Sequence, residues 1–344
     1  MAAAMPNQAS VVVPAPPLVA AAPPRPMFLP AFVAVLALFV SSPLWLSSVG
    51  LYQYLALEVL IWSLYAFGFN LLLGYGGLPS FGHGAFFGVG AYALGLAVKH
   101  AGAGVWPALL AAVLAAALAG AMVAAFISHR RGIYYALMTI AFGQLAWFVS
   151  IKWHSVTGGE DGLLNIVRPP LELGVTQLSL ESHQALFYFA LVLFALLVPF
   201  LWRLIDTPFG RVLAAVKQNE LRAAYCGHNV WRIKFTVFVL SCAIAGLAGG
   251  LFALAQHSAY PNVMSLHNSG YVVMMVLVGG GLVSFWGPLI GAVFFIVARD
   301  VLGAYTETWL LWYGLLFVLV VLFKPEGIAG LVNDLRRRWL RRSM

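Results

Sequence analysis

The sequence has 344 residues, of which 62% are hydrophobic and 9% charged, and its mean hydropathy is +0.92. Soluble domains carry about 25% charged residues, so this composition all but excludes a water-soluble enzyme. The 19 basic residues outnumber the 11 acidic ones but stand in short groups between apolar runs, which argues against nucleic-acid binding. Cys226 and Cys242 form no CxxC pair. We therefore expect no disulfide framework, metal site or cofactor.

The first 26 residues are rich in alanine, proline and valine and contain one charge, Arg25. They lack a charged segment ahead of an apolar stretch, so we expect no cleaved signal peptide. This composition predicts a disordered tail.

Long apolar runs dominate the rest of the chain, and about 20 such residues suffice for one helical span. They predict eight spans, at residues 27–49, 51–73, 78–98, 105–127, 132–151, 185–205, 235–256 and 305–323. A further apolar stretch, 270–298, is interrupted by glycines and a proline. Its 29 residues reach about 44 Å as a helix, enough for two short helices or a re-entrant pair but not two full spans.

Basic residues favour the cytoplasmic side of a membrane. The basic segments 129–131, 203–234 and 324–344 should share that side, which requires 270–298 to enter the membrane and return. Fifteen basic residues then lie inside and four outside. We predict an all-α polytopic membrane protein of about ten transmembrane segments, including glycine-broken or re-entrant helices, with both termini cytoplasmic. Its membrane domain covers 27–323, followed by a basic tail.

Two loops stand out between the predicted spans. The outer loop, residues 152–184, carries Glu160, Asp161, Glu172 and Glu181 and is the one sizeable acidic external surface that we predict. The inner loop, residues 206–234, is basic. No HExxH, GxSxG or phosphate-binding loop motif occurs, so any ATP hydrolysis has to come from another chain.

Seven glycines and a proline interrupt the apolar segment NLLLGYGGLPSFGHGAFFGVGAY, residues 70–92. Unwound helices in transporters expose backbone groups that bind substrate, whereas the alternative for Gly84 and Gly88 is close helix packing. A second interruption, GGLVSFWGPLIGA at 280–292, repeats GGLPSF of the first in five of six positions. We expect the two breaks to approach each other and line a substrate pathway. The assigned residues are Gly76, Gly77, Ser80, Gly82, His83, Gly84, Gly280, Gly281, Ser284, Gly287 and Pro288.

The segment TPFGRVLAAVKQNELRAAYCGHN, residues 207–229, has the pattern of one short amphipathic helix. Thr207 fits the N-cap, Pro208 the first helical position, and Gly227 the end. Its basic residues could hold it at lipid headgroups. Asn219 and Glu220 interrupt the positive face, however, and favour docking to another protein.

Glu58 and His83, both inside predicted spans, are candidates for intramembrane chemistry. An acid inside the membrane is a functional candidate, but Glu58 lies near the outer end of its span, where we expect it to reach water. His83 lies in the first break, and we favour a neutral, hydrogen-bonded structural histidine over a proton relay. No histidine spacing indicates a metal site.

Six motifs occur in a fixed order between residues 50 and 332. They are NLLLGYGG…SFGHGAFFGVGAY, RGIYYALMTIAFGQL, TGGEDGL, TPFGRVLAAVKQNELRAAYCGHNVWRIKF, SCAIAGLAGGLFAL and VGGGLVSFWGPLIGA. By this set the sequence resembles the LivM-type permease subunits of branched-chain amino acid ABC importers. The N-terminal tail lies outside the resemblance, and Pro79 stands where such proteins more often have a polar residue.

The resemblance implies an inner-membrane subunit that pairs with a second, homologous permease, two cytoplasmic ATPase subunits and an extracytoplasmic binding protein. It implies leucine, isoleucine or valine as substrates, with urea or short amides as the alternative. It also places an ATPase-coupling helix at 207–229. The coupling residues are Gly210, Arg211, Lys217, Asn219, Glu220, Arg222 and Gly227.

Two other classes remain open. An ion-coupled secondary transporter would need an intramembrane acid or histidine system, for which Glu58 and His83 are the hints. A non-transporting membrane scaffold would have no need of glycine-broken helices.

Overall fold

The structure, a computed structural model, describes residues 25–46, 52, 54–173, 176–282, 284–323 and 327–330. Its α-helices are α1 (Arg25–Trp45), α2 (Tyr54–Asn70), α3 (Gly84–Ala101), α4 (Val105–Ile127), α5 (Gly132–Lys152), α6 (His154–Thr157), α7 (His183–Asp206), α8 (Pro208–Gln218), α9 (Glu220–Tyr225), α10 (Val230–Gln256), α11 (Leu266–Gly279), α12 (Gly287–Tyr305) and α13 (Trp309–Phe323). A π-helix, Leu71–Tyr75, continues α2, and 3₁₀ turns form at Gly159–Asp161 and Pro261–Met264. Strands β1 (Leu171–Leu173) and β2 (Thr176–Leu178) form a small antiparallel hairpin, which the sequence analysis did not predict.

Within the described part of the chain, six helices are long and apolar enough to cross a membrane: Tyr54–Tyr75, Val105–Ile127, Gly132–Lys152, His183–Asp206, Val230–Gln256 and Gly287–Tyr305. Three shorter apolar helices are Phe28–Leu44, Leu266–Gly279 and Leu310–Val320. The predicted all-α membrane class is therefore confirmed.

Helices α2, α3 and α10 form the centre of the bundle, and α2 is buried along almost its whole length. Glycines let these helices approach closely, as is usual inside membranes. A Cβ atom added at Gly90 would overlap Gly246 on α10, and one added at Gly249 would overlap the carbonyl group of Phe87. Helices α4 and α5 leave most of their apolar surface exposed at the periphery.

The polar groups gather at two opposite ends of the bundle. The α8 end contains residues 74–77, 129–131 and 207–234. The ion pair between Arg131 and Glu220 and the hydrogen bond from Lys217 to the Gly74 carbonyl oxygen join these segments. The hairpin end contains residues 152–173 and 176–183 and the adjoining ends of α2, α10 and α12. There, Arg168 donates 2.7 and 3.0 Å hydrogen bonds to the carbonyl oxygens of Leu254 and Ala255 and so caps α10.

The interrupted stretch 270–298 forms two helices, α11 and α12, joined by a turn. The sequence predicted two short helices or a re-entrant pair in this stretch. This prediction is wrong for α12, because the helix continues to Tyr305 and is long enough to cross a membrane. The following helix accordingly begins at Trp309 instead of residue 305.

The amphipathic segment 207–229 forms two helices instead of the single predicted one. Asn219 has extended backbone (φ −161°), and its side-chain oxygen accepts a 2.9 Å hydrogen bond from the Arg222 amide. Asn219 therefore ends α8 and caps α9. Thr207 occupies the predicted N-cap position, but its hydroxyl donates to the Leu204 carbonyl oxygen instead of capping the helix.

The two predicted tails fall largely outside the described residues. Of the N-terminal tail, residues 1–24 lie outside them, and helix α1 already begins at Arg25. Of the C-terminal basic tail, the structure describes residues 327–330.

Candidate translocation and coupling site

The two glycine breaks meet at the side chain of Asn70, the last residue of α2. A Cβ atom added at Gly281 would lie 2.6 Å from Asn70 Oδ1, and one added at Gly74 would overlap the same oxygen. The Gly74 position also lies 3.0 Å from the carbonyl oxygen of Gly281. Both positions need glycine because any side chain would displace the Asn70 amide. Sequence analysis did not select Asn70 or Gly74.

The first break begins with the π-helix Leu71–Tyr75 and turns at Gly76 and Gly77. Gly77 has φ +66°, a left-handed conformation that favours glycine. A Cβ atom there would lie 2.7 Å from Cγ of Lys217 on α8. Single π-helical turns often mark functional sites, and this one lies directly beneath α8.

Past this turn, the chain runs through non-helical backbone until α3 begins at Gly84. The Phe81 amide donates a 3.2 Å hydrogen bond to Thr139 Oγ1, and the Gly84 amide donates a 2.9 Å bond to Ser269 Oγ. A Cβ atom at Gly82 would overlap the Thr139 carbonyl oxygen. The irregular backbone is therefore enclosed by α5 and α11, as membrane depth requires.

Ser80 and His83 are fully buried in this segment. His83 Nε2 lies 2.9 Å from Ser241 Oγ on α10, and the rings of Tyr65 and Phe238 pack against the imidazole. This is the hydrogen-bonded, structural environment that we favoured for the histidine. Ser80 Oγ has no hydrogen-bond partner among the described residues.

The second break is a tight turn between α11 and α12. Gly280 ends α11 with φ +86°, and its carbonyl oxygen accepts a 2.8 Å hydrogen bond from the Ser284 amide. Gly287 packs directly on this turn, since an added Cβ atom would lie 2.5 Å from the Gly280 carbonyl carbon. Pro288 occupies the first turn of α12, where a missing amide proton costs little.

Helix α8 is anchored to the first break by Lys217. Its Nζ donates a 2.6 Å hydrogen bond to the carbonyl oxygen of Gly74, and Leu213 packs beside Gly76. Burial lowers the pKa of the Lys217 ammonium below its ordinary value. The surface helix is thus joined directly to the point where the membrane helix unwinds.

Glu220 ties α9 to two membrane helices. Its carboxylate oxygens lie 2.6 Å from Nε of Arg131, which directly precedes α5, and 3.2 Å from Nζ of Lys234 on α10. The Lys234 side chain is 1% exposed and also donates to the Arg130 carbonyl oxygen. We expected Glu220 to offer its charge to a partner, but the structure uses the carboxylate within the chain.

The other predicted coupling residues have different surroundings. Gly210 packs on the backbone of Ile205, whereas Arg211 and Arg222 are exposed. Gly227 follows α9 with φ +86°. Two exposed residues of α9 that we did not select, Leu221 (55% exposed) and Tyr225 (88% exposed), form an outward apolar surface beside Arg222.

At the hairpin end, α2, α10, α11 and α12 surround a cavity of about 340 Å³. Glu58 lies in its wall and is 5% exposed. Arg299 donates hydrogen bonds of 2.8 and 2.7 Å to its two carboxylate oxygens. The expectation that Glu58 reaches water is therefore wrong. The lining residues are Tyr52, Tyr54, Glu58, Trp62, Phe252, Gln256, Tyr260, Asn262, Val263, Asn268 and Arg299.

Arg299 has a second acidic neighbour, Asp300, whose Oδ1 lies 3.2 Å from Nη2. Asp300 in turn accepts a 2.6 Å hydrogen bond from the Tyr52 hydroxyl. Sequence analysis missed this network, although one signal was present. Glu58 lies in one apolar run and Arg299 near the end of another. Because unpaired charges are costly in a membrane, an acid and a base placed in this way are expected to form an ion pair.

These elements define a multi-pass α-helical membrane protein with two glycine-broken helices joined at one end to a pair of surface helices. Among the described residues, no group of three or more histidine, cysteine or acidic side chains could hold a metal ion.

Comparison with known proteins is consistent with this class. Residues 51–323 match the family described as branched-chain amino acid transport system, permease component. The chain is 30% identical over 320 residues to the high-affinity branched-chain amino acid transport system permease protein LivM of Escherichia coli (strain K12), covering 88% of this chain and 75% of that protein. Its identity to LivM of Salmonella typhimurium is 28% over 298 residues, covering 81% and 70%. The ribose import permease protein RbsC of Bacillus subtilis matches over 92 residues at 33%, covering 26% and 29%. No solved structure matches the chain.

The chain belongs to the family of branched-chain amino acid transport system permease components. This confirms the resemblance noted from the six sequence motifs. The chain is accordingly a permease component of a transport system.

Proposed function

We propose that the chain is one of two homologous permease subunits of an ATP-driven importer and forms part of the pathway for branched-chain amino acids. Two ATPase subunits in the cytoplasm and an extracytoplasmic binding protein complete the importer. Family membership supports branched-chain amino acids as the substrate class, since the LivM relatives are named as permeases of branched-chain amino acid transport systems. The observation that carries the mechanism is the hydrogen bond from Lys217 to Gly74, because it joins a surface helix to the unwound part of a membrane helix.

The α8 end faces the cytoplasm of the inner membrane in this proposal. Basic residues favour that side, and the α8 end holds Arg130, Arg131 and most of the basic residues between 203 and 234. At the hairpin end, Arg299 is neutralised by Glu58. Adding α1, α3, α11 and α13 to the six long helices gives ten membrane segments with both termini inside.

The ATPase docks on α8 and α9. Tyrosine and arginine are among the residues enriched at binding hot spots, and Tyr225 and Arg222 are exposed on α9 beside Leu221. A shift of this surface reaches the first break through Lys217 and reaches α5 and α10 through Glu220. A discrete element with contacts to both sites is what coupling requires.

The pathway passes the junction of the two breaks at Asn70, which is closed in this conformation. Gly82, Gly281 and Gly287 are buried, and their backbone groups contact protein. Motion of α8 pulls on Gly74 and opens the junction, so that freed backbone groups contact the passing substrate. At the hairpin end the binding protein docks near the outer loop, whose four acids are exposed.

The proposal is tested by reconstituting the complete importer in proteoliposomes and measuring leucine uptake and ATP hydrolysis stimulated by the loaded binding protein. We expect Tyr225→Ala to weaken ATPase association about tenfold or more while the permease stays folded. Tyr134→Ala is the matched control, because Tyr134 is 69% exposed at the same end but lies on α5. Uptake without ATP would identify a secondary transporter, and normal coupling in Tyr225→Ala would exclude α9 as the docking surface.

A further inference from the structure

The cavity at the hairpin end combines a charged wall with an apolar floor. Glu58 and Arg299 form the charged wall. Trp62, Phe252 and Val263 form the floor, and each of them is no more than 5% exposed. Its volume of about 340 Å³ is at the lower end of the range for small-molecule sites, which extends from about 300 to 1,000 Å³. The cavity therefore fits a small ligand that has charged and apolar parts.

A ligand can replace the ion pair between Glu58 and Arg299 without leaving either side chain unpaired. Arg299 contacts both Glu58 and Asp300, so it keeps an acidic partner when its contact with Glu58 opens. Asp300 is itself held by the Tyr52 hydroxyl. A released Glu58 then needs a cation, and the freed face of the Arg299 guanidinium can take a carboxylate. A ligand with an ammonium and a carboxylate on neighbouring atoms supplies both.

We propose that this cavity is a transfer site for zwitterionic α-amino acids with an apolar side chain. Glu58 binds the α-ammonium, Arg299 binds the α-carboxylate, and the side chain packs on Trp62 and Phe252. The inference rests on the proposed function for its substrate class. It adds that the permease itself recognises the amino acid at the hairpin end before the substrate reaches the glycine breaks.

The charge balance excludes partial ligands. An amine without a carboxylate leaves Arg299 with one vacant face, and an acid without an ammonium leaves Glu58 buried and unpaired, which is costly. Isoamylamine and 4-methylpentanoate have the leucine side chain with one charge each. Both should therefore bind far more weakly than leucine, although their apolar parts match.

The site is tested by irradiating the detergent-solubilised importer, without its binding protein, in the presence of a diazirine analogue of leucine. We expect cross-links on peptides that contain Trp62 or Phe252, and we expect leucine to suppress them. Isoamylamine and 4-methylpentanoate at the same concentration should not. Equal suppression by either partial ligand, or no cross-link at these peptides, would overturn the proposal.

Glu58→Gln gives a second test, because it removes the ammonium contact while Arg299 keeps Asp300. Loss of one charge-assisted hydrogen bond should reduce labelling about tenfold or more. Glu307→Gln is the matched control, since Glu307 is an exposed acid at the same end and does not line the cavity. Unchanged labelling in Glu58→Gln would overturn the site. Co-purification of the importer subunits shows that the Glu58→Gln variant is assembled. ATP hydrolysis of the parent importer, measured after the loaded binding protein is added, tests the proposed function separately.

Discussion

Lys217 on α8 donates a 2.6 Å hydrogen bond to the carbonyl oxygen of Gly74, where the first break leaves its π-helix. The stem of the same side chain fills the space beside Gly77, which only glycine leaves open. A π-helix leaves carbonyl groups without regular helical partners, and the lysine satisfies one of them. The basic surface segment and the glycine-rich membrane segment are therefore parts of one structural unit.

Replacing Lys217 by methionine should uncouple the two segments. Methionine preserves the apolar stem but cannot donate to Gly74, and a hydrogen bond from a charged group contributes about 1.5–3 kcal/mol. We expect stimulated ATP hydrolysis and leucine uptake to fall about tenfold in proteoliposomes, while the protein remains in the membrane. Arg232→Gln, which removes an exposed cation at the same end, should behave like the parent. Full coupling in Lys217→Met would mean that α8 acts through other contacts.

The contacts of Glu220 predict unequal effects on stability. Glu220→Gln leaves Lys234 buried without its anionic partner and should cost about 2 kcal/mol. Arg131→Gln removes a partner whose side chain is 53% exposed, so the loss should be below about 1 kcal/mol. Glu220→Lys would place a third cation beside Arg131 and Lys234 and should destabilise the loop more than either of these changes. Thermal unfolding of the solubilised permease checks the order, and equal stability of all three variants with the parent would contradict it.

The glycines of the breaks differ sharply in the space around them. An alanine methyl group at Gly82 would overlap a backbone oxygen of α5, so Gly82→Ala should lower stability by about 1–3 kcal/mol or more. At Gly270, on α11, nothing lies within 4 Å, and alanine should stabilise the helix by about 0.5–1 kcal/mol. The yield of folded permease from membranes measures the contrast. Leucine is larger than alanine, so Gly82→Leu and Gly287→Leu should prevent assembly of the complex.

The native cysteines report the orientation of the chain. Cys226 follows α9 and is exposed, whereas Cys242 is buried. If the α8 end is cytoplasmic, a membrane-impermeant maleimide should leave the parent protein unlabelled in intact cells and label Cys226 in inside-out vesicles. Cysteine at Glu160, exposed in the outer loop, should show the reverse accessibility in a Cys226→Ser background. Labelling of Cys226 from outside would invert the topology.

Several features could be predicted from sequence because their signals are local. The length of an apolar run predicts a span, clustered glycines predict a break, and Pro208 marks the start of α8. The split at Asn219 also had a local signal that we missed, since asparagine followed by glutamate is a common helix start. We read the two helices as one because their apolar residues follow a single period.

The sequence by itself determined the membrane class, the positions of most of the long apolar helices and of the two glycine breaks, and the family, since composition and ordered motifs carry all of these. Tertiary structure alone decided which polar groups meet. Glu58 pairs with Arg299, 241 residues away, because α2 packs against α12, and Gly74 meets Gly281 because both breaks turn at the same end of the bundle. An acid and a base in separate apolar runs are candidate partners, but no local pattern encodes which polar groups come into contact. Each buried charge or irregular backbone group must find a partner in the membrane interior, and the packing of the helices decides which partner is within reach.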